Sequence, residues 1–501
     1  MNRRNKIAGL VFACVGLFAC GEQLIYKDKE KLSDNELREL SAVEASTLIK
    51  SKQISATQLV QAVISNTKHY KHLNAYISLD EKNALREAAI VDKDVIAGTA
   101  SGKLLGVPLI IKDNIEVADM FFTIGTPSMK GIVPKQHAAV VQLLVDEGAI
   151  ILGKANMHEL AVGVTSNNSY FGAVGNPYNK DYFAGGSSGG TAAAVASRGA
   201  IAGLGSDTGG SVRIPAALTG IYGLRPSTGR YPNSGVVPIS SSRDTTGPMT
   251  RSVSDLILLD AVITRAEPDY KAADINSIRL GIPRTFFFAN LEPEIADLVE
   301  QTLQKIAAAG ITLIDADIPI PEDIEGQIGF PLVSYEIRQE LPDYLQTLTS
   351  GQLSFSALVS GIASPDVKAI FNTLFVGTQS TSEEQYRKIK DFVLPQHQKV
   401  FSDYFEEHRI DAMIFPTTPL TAKRIEDIRD DKNVSTFKTL SRNTAPGSVV
   451  GIPGVTLPLG ISPSNGLPVG IAIDGPADSD RRLLSIALVL EKIIGPIAAP
   501  H

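Results

Sequence analysis

Residues 185–216 read GGSSGGTAAAVASRGAIAGLGSDTGGSVRIPA, and this stretch decides the fold class. A glycine-serine loop at 185–190 leads into a small-residue helix pattern, and the apolar residues 200–204 predict a buried strand ending in a second glycine turn, SDTGGS. A serine in such a turn is exposed, and backbone N–H groups of successive glycines can converge on one oxygen. The stretch therefore predicts a serine nucleophile beside an oxyanion hole. A flexible linker is the alternative, but a linker would not carry helix and strand patterns with the polar set Asp207, Ser211 and Arg213.

The surrounding sequence alternates strand and helix patterns. Residues 107–111 predict a buried strand with Lys112 at its end, residues 140–147 predict a helix, and residues 149–152 predict another strand. Further upstream, Ser41 and Ser55 each open a capping box at a helix start. The alternation continues to about residue 260 and predicts an α/β fold, with a large mostly parallel or mixed sheet covered by helices on both faces.

The second half of the chain carries fewer motifs. Residues 278–282 predict a strand, and a helix pattern begins at Pro293 and stops at Gly310. Residues 320–410 predict mainly helices, which could form a cap over the site. Aromatic side chains in this region are expected mostly in the core rather than against substrate: Tyr344, Phe355, Phe371, Phe375 and Tyr386. Because the candidate site residues must meet, we expect one large domain over 35–501, with its core at about 100–260.

A serine nucleophile needs a base, and this chain offers no obvious histidine for that role. A lysine accepts a proton only when it is neutral, which requires burial or a nearby cation to lower its pKa. Lys112 follows an apolar run and fits a buried base.

These segments resemble the amidase signature family, whose fingerprint spans the loop at 185–190 and the positions of Asp207, Gly209, Ser211, Arg213 and Pro215. Further segments carry the same resemblance: VPLIIKDN (107–114), GKANMHELAVG (153–163), FGAVGNPYN (171–179), IFPTTP (414–419) and GIPGVTLPLG with GLPVGIAI (451–473). Together they cover most of the chain from about residue 35 onward. The resemblance implies the fold of that family and hydrolysis of an amide without a cofactor or a metal.

The resemblance also implies roles for individual residues. Ser211 would be the acylated nucleophile, Ser187 the bridging serine after a cis Gly186–Ser187 peptide bond, and Lys112 the base. The implied oxyanion hole consists of the backbone N–H groups of Thr208, Gly209, Gly210 and Ser211. Asp207 and Arg213 would support the loops, and Ser188 would assist by hydrogen bonding.

Residues 211–252 contain RPSTGRY and PISSSRDTTGPM, and they resemble the branch of the family that hydrolyses indoleacetamide and mandelamide. That resemblance implies a small-molecule partner, a primary amide of an aryl-acetic acid, cleaved to the acid and ammonia. A peptide amidase or a broad aryl-acylamidase is the alternative within the family. An inactive relative that acts as a surface binding protein is the alternative from another class, and a homodimer is left open.

Two short patterns point to other serine enzymes. GGSSG (185–189) satisfies the nucleophile-elbow pattern, whose histidine would have to be His397, His408 or His501. Ser65-Asn-Thr-Lys68 matches the S-x-x-K pattern of penicillin-interacting enzymes, but Ser65 lies within an amphipathic helix pattern. Neither pattern has the partners it requires in a distinctive context.

The N-terminus predicts export. A basic start, MNRRNK, precedes the 13-residue apolar run 7–19, and Cys20 follows as a lipoprotein-type processing site. We expect residues 1–20 to be a signal peptide, Cys20 to carry lipid at the bacterial cell envelope, and residues 21–34 to form a tether; an uncleaved membrane anchor is the alternative. The formal charge of −7 predicts no nucleic-acid partner, and the Cys and His spacing predicts no metal site.

Overall fold

The computed structural model describes residues 32–428 and 431–500, and a compact unit begins at Asp34. The predicted signal peptide, Cys20 and most of the predicted tether lie outside these residues, as does His501. Within these ranges no helix is both long enough and apolar enough to cross a membrane.

Eleven strands form one sheet: β1 (Tyr76–Leu79), β2 (Pro108–Lys112), β3 (Ile150–Ala155), β8 (Ala202–Asp207), β9 (Tyr222–Arg225), β10 (Thr245–Thr250), β11 (Arg279–Ile282), β12 (Thr312–Asp315), β13 (Ala412–Pro416), β14 (Gly454–Ile461) and β15 (Pro468–Asp474). Two small two-stranded sheets are made by β4 (Asn167–Asn168) with β5 (Gly172–Ala173) and by β6 (Gly175–Asn176) with β7 (Asn179–Phe183).

The strand order of the large sheet is β1-β3-β2-β8-β10-β9-β14-β15-β13-β11-β12. Pairing is parallel in two blocks, β3-β2-β8 and β13-β11-β12, and antiparallel elsewhere. The predicted mixed α/β sheet is confirmed. Parallel pairing is limited to the two blocks, and the strands between them pair antiparallel, so the sheet is mixed and not mostly parallel.

Helices occupy the remaining regular structure: α1 (Asp34–Glu39), α2 (Ala42–Lys50), α3 (Ala56–His69), α4 (Glu81–Ala97), α5 (Ala139–Asp146), α6 (Gly189–Ala196), α7 (Arg213–Thr219), α8 (Val253–Ile263), α9 (Arg284–Phe287), α10 (Pro293–Ala308), α11 (Phe330–Thr349), α12 (Phe355–Ser360), α13 (Pro365–Ile370), α14 (Glu383–Lys388), α15 (Leu394–His408), α16 (Asp431–Ser441), α17 (Ala445–Val450) and α18 (Asp480–Ile494). Ser41 and Ser55 form the predicted capping boxes of α2 and α3. Gly310, at φ +105°, follows the end of α10.

Helices cover both faces of the sheet, as strand β13 illustrates. Side chains alternate between the two faces of a strand. Ala412 and Ile414 join an apolar cluster with α8, α10 and α18, whereas Met413 and Phe415 join a different cluster with α15 and α17. The sheet therefore lies between two layers of helices.

The chain from Glu325 to His408 is mainly helical, with turns between its helices, and includes three short π-helical segments, Glu325–Gly329, Phe371–Phe375 and Ile389–Val393. Phe371 and Phe375 are fully buried in the cluster that joins this region to the loop around Phe122. The predicted core placement is therefore correct for these two residues. Tyr386 instead stacks on Tyr335 with 4.2 Å between ring centroids.

The arrangement of β2 and β8 positions the candidate site. The two strands are parallel neighbours, with Ile111 opposite Leu204. Their carboxyl ends therefore lie at the same edge of the sheet, where open α/β sheets bind their ligands. This brings Lys112, the last residue of β2, next to the end of β8.

Candidate active site

Lys112 is fully buried, as its apolar approach predicts. Its Nζ donates to the hydroxyl of Ser187 at 2.7 Å and to the hydroxyl of Ser206 at 2.8 Å. Burial lowers the pKa of Lys112 to about 7, and the carboxylates of Asp207 and Asp244 oppose this change. Near neutral pH the amine is therefore distributed between its charged and neutral forms.

The glycine-serine loop places Ser187 in contact with Lys112. The Gly186–Ser187 peptide bond is cis, as the family resemblance implies. Glycine is required where α6 begins, because a Cβ at Gly190 would lie 2.3 Å from the carbonyl oxygen of Asn156. The backbone of α6 can therefore approach this neighbouring strand end closely.

Ser188 connects this loop to the second glycine turn. Its N–H donates to the carbonyl oxygen of Ser211 at 3.2 Å, and its hydroxyl donates to the carbonyl oxygen of Ser206 at 3.2 Å. These two contacts agree with the supporting role implied for Ser188.

Ser211 lies in the turn after β8 and is 7% exposed. The expectation that this serine is exposed is wrong, because the turn is covered by the segment around Thr444. The Thr444 hydroxyl donates to the carbonyl oxygen of Gly209 at 2.8 Å. Gly210 adopts φ +126°, and a Cβ there would lie 2.1 Å from Thr444 Oγ1.

One implied oxyanion donor is engaged elsewhere. The N–H of Gly210 donates to Asp207 Oδ1 at 2.7 Å, so the implied role of Gly210 as an oxyanion donor is corrected here. The Gly210 N–H donates to the Asp207 carboxylate because this charged acceptor lies close to the turn. The N–H groups of Thr208, Gly209 and Ser211 have no acceptor among the residues that the structure describes.

Asp207 holds the turn through a buried charge cluster. Its carboxylate pairs with Arg213 at 3.2 Å and with Arg225 at 3.2 Å, and all three side chains are fully buried. Burial raises the pKa of Asp207, but the two guanidinium groups outweigh that effect and hold it well below its usual range. The contacts agree with the supporting roles implied for Asp207 and Arg213.

The structure thus joins Lys112 to Ser187 and joins Ser188 to Ser211. A hydrogen bond between the hydroxyls of Ser187 and Ser211 is not formed among the described residues. The loops that carry these two hydroxyl groups are connected through the hydrogen bond from the Ser188 N–H to the Ser211 carbonyl oxygen.

Sequence reasoning assigned no role to several residues that contact the site. Ser206 Oγ accepts from both Lys112 and Asn114 Nδ2, the latter at 3.0 Å. Alternation along β8 after its buried start could have identified Ser206, since Ser206 and Asp207 must point to opposite faces. Arg225 lies on β9 and Asp244 lies just before β10, so both follow β8 at some distance in the sequence. Nothing in their local sequence indicates these contacts. Asp244 accepts the Thr208 hydroxyl at 2.6 Å and so adjoins the turn.

Among the described residues, which exclude His501, the two competing patterns have no supporting geometry. Ser65 is an exposed residue of α3. His397 Nδ1–H donates to the carbonyl oxygen of Val393 just before α15, and His408 ends α15. Among the residues described, no cluster of three His, Cys, Asp or Glu side chains could hold a metal ion.

A cavity of about 250 Å³ lies beside the glycine turn. Its wall includes Ser441 and Ala445, which flank the Thr444 that contacts Gly209. Apolar side chains form one part of the wall: Phe286, Ile324, Phe330, Ile370, Leu374, Val434 and Phe437. Charged side chains form another part: Glu322, Asp323, Glu325, Lys438 and Arg442. The cavity therefore offers aromatic and aliphatic surface together with charged groups, next to the segment that covers the turn of Ser211.

Comparisons with known proteins show the family of the chain. A family model described as Amidase matches residues 58–484. The chain is 40% identical over 450 residues to an indoleacetamide hydrolase from Agrobacterium vitis, covering 89% of this chain and 95% of that protein. It is also 40% identical over 473 residues to a mandelamide hydrolase from Pseudomonas putida, covering 92% of each.

Solved structures show the same fold. A peptide amidase in complex with the competitive inhibitor chymostatin superimposes with a TM-score of 0.79 at 26% identity, covering 92% of this chain and 99% of that one. The family match, the relatives and the structural likeness each cover most of the chain. The chain therefore belongs to the amidase family and is a hydrolase of amide C–N bonds.

Proposed function

We propose that the protein hydrolyses primary amides of aryl-acetic acids to the acid and ammonia through an acyl-enzyme on Ser211. The observation that carries the proposal is the buried contact between Lys112 Nζ and Ser187 Oγ at 2.7 Å, together with the lowered pKa of that lysine. A neutral amine at this place can accept a proton that a hydroxyl relays to it.

In the acylation step, Ser211 Oγ attacks the amide carbon and passes its proton to Ser187. The proton of Ser187 moves to Lys112, which becomes an ammonium group. The tetrahedral intermediate then collapses: the C–N bond breaks, and the proton returns through Ser187 to the leaving nitrogen as ammonia is released. Water repeats the sequence on the acyl carbon, which frees the acid and restores Ser211.

The negative charge of the tetrahedral oxygen needs donors close to Ser211. We assign this role to the N–H groups of Thr208, Gly209 and Ser211, since the Gly210 N–H is held by Asp207. Removing one such donor typically slows a hydrolase by about 10²–10³-fold. Asp207 and its arginine partners then serve to hold the turn in the geometry that presents these donors.

The cavity beside the turn supports an aromatic acyl group. Phe330 and Phe437 lie on its wall with 5.5 Å between ring centroids. Aromatic and aliphatic side chains of this kind typically line sites for small organic ligands, and the charged side chains of Glu322, Asp323, Glu325, Lys438 and Arg442 line the same cavity. The named substrates of the two relatives, indoleacetamide and mandelamide, both carry an aromatic group and a primary amide.

Release of ammonia from primary amides, and of aniline from an anilide, tests the substrate class. The mature protein is incubated with phenylacetamide, indoleacetamide, an anilide and a C-terminal peptide amide, and Ser211→Ala is the matched inactive control. We expect the largest kcat/KM with the aryl-acetamides and none above background in the variant. Faster cleavage of the peptide amide would instead favour a peptide amidase, which the structural likeness to such an enzyme keeps as the second candidate. Absence of cleavage with every amide would support the inactive binding protein.

We also propose export with lipid attached at Cys20, on the strength of the basic start, the apolar run and the cysteine that follows. Cell fractionation and mass spectrometry of the mature N-terminus test it. Cys20→Ser should release or mislocalise the enzyme while its activity in solution stays unchanged. Intact residues 1–20 on protein in the cytosol would contradict export.

A further inference from the structure

His158 and Glu159 lie in the segment GKANMHELAVG, and the chemistry above uses neither of them. The backbone N–H of His158 donates to the carbonyl oxygen of Ser187 at 3.2 Å. The imidazole Nε2 of the same residue lies 3.0 Å from Asp366 Oδ2. One residue therefore contacts both the bridging serine and the first turn of α13 in the helical region.

Asp366 is part of a closed set of polar contacts. Its Oδ2 also accepts Asn433 Nδ2 at 2.8 Å, and Thr165 Oγ1 donates to Asn433 Oδ1 at 2.9 Å. All four side chains of this set are buried, with His158 only 1% exposed. Burial raises the pKa of Asp366, but His158 and the hydrogen bonds to the carboxylate outweigh this effect and lower it.

Glu159 provides a second connection to the same helix. Its carboxylate is fully buried and accepts the N–H groups of Ala363 and Ser364 at 3.0 and 2.7 Å. Ser364 Oγ in turn accepts the N–H of Ser169 at 3.2 Å. The residues just before α13 are therefore attached to the loop 158–169 at several points.

The helices held by these contacts contribute residues to the wall of the cavity. Ile370 of α13 lines it, as do Val434 and Phe437 of α16, the helix that carries Asn433. Two connections thus run from the loop that supports Ser187 to two walls of the cavity. Hydrogen bonds among buried groups specify geometry strongly, since leaving one partner unpaired is costly.

We propose that His158, Asp366, Glu159 and Asn433 form a latch that positions the walls of the substrate cavity relative to the catalytic loop. His158 is a positioning residue in this scheme: it does not touch substrate, and it sets how an aromatic acyl group is aligned with Ser211. The substrate named in this proposal rests on the proposed function. The connection between the cavity walls and the catalytic loop rests on the contacts alone.

The test compares Asp366→Ala and His158→Ala with the conservative Asp366→Asn. Asp391→Ala, which removes an exposed carboxylate from the same helical region, is the matched control. kcat and KM are measured with phenylacetamide, and the rate of Ser211 labelling is measured with a small fluorophosphonate that does not fill the cavity. We expect about a tenfold or larger rise in KM for the alanine variants, because small misplacements of substrate are costly. Labelling should stay within about twofold of wild type, and Asp366→Asn should recover most of the lost affinity.

Unchanged KM in both alanine variants would overturn the latch. A parallel loss of labelling and hydrolysis would also overturn it, because these residues would then maintain the catalytic loop itself. If the wild type does not cleave phenylacetamide, the proposed function fails. The latch is then tested by measuring hydrogen exchange of the backbone amides. Amides of α13 and α16 should then lose protection in Asp366→Ala and keep it in Asp391→Ala; equal protection in both would reject the proposal.

Discussion

Lys112→Arg is expected to remove both the activity and its pH dependence. Burial places the pKa of Lys112 at about 7, so about half of the amine is neutral at pH 7. At its ordinary pKa of 10.5, only about one lysine in 3,000 would be neutral at that pH. Because neutral lysine is the base, kcat/KM should rise with pH through about 7 and reach a plateau about one unit above.

An arginine keeps the positive charge and cannot release its proton in this pH range. Loss of a general base typically costs about 10²–10⁴-fold in rate, and that is the decrease we expect for Lys112→Arg at pH 8. The assay is ammonia release from phenylacetamide between pH 5 and 9, with circular dichroism to show that the variant is folded. A wild-type profile that is flat across this range, or a rising profile retained by Lys112→Arg, would refute the assignment of Lys112 as the base.

Three further changes probe the groups around the lysine. Asp244→Asn removes a carboxylate that raises the pKa of Lys112, so the rising limb of the pH profile should move to lower pH; a shift to higher pH would contradict the electrostatic account. Ser206→Ala removes one acceptor of the Lys112 amine and should lower kcat/KM about tenfold, measured at the plateau, while an unchanged value would show that Ser206 is dispensable. Asp207→Asn removes the carboxylate that pairs with buried Arg225 and leaves buried Arg213 with Asp474 at 3.6 Å as its ion-pair partner, so it should lower the free energy of unfolding by about 3–5 kcal/mol in chemical denaturation, against an unchanged Asp391→Asn; a loss below about 1 kcal/mol would mean that the cluster is not stabilising.

Local sequence patterns predict the parts of this fold that depend on local physics. The apolar run before Lys112 is enough to predict a buried strand with a buried lysine at its end, because burial follows hydrophobicity. The capping boxes at Ser41 and Ser55 form because their partners are three residues away. Strand direction in the middle of the sheet is not encoded in this way, since a buried strand reads the same in either orientation.

The contacts that complete the site come from far along the chain and could not be read from its motifs. Arg225 reaches Asp207 from β9, 18 residues away, and Thr444 reaches Gly209 across 235 residues. Gly210 shows a different difficulty: its N–H has two candidate acceptors, an oxyanion and the Asp207 carboxylate. Only the folded geometry shows which of the two it contacts.

Labelling of the purified mature protein with a fluorophosphonate, followed by peptide mass spectrometry, tests the central claim most directly. The mechanism predicts a single adduct on the peptide that carries Ser211, formed at a rate that rises with pH as hydrolysis does and is greatly reduced in Lys112→Arg. An adduct on Ser187 or Ser188 instead, or an enzyme that hydrolyses amides without any adduct on Ser211, would contradict it.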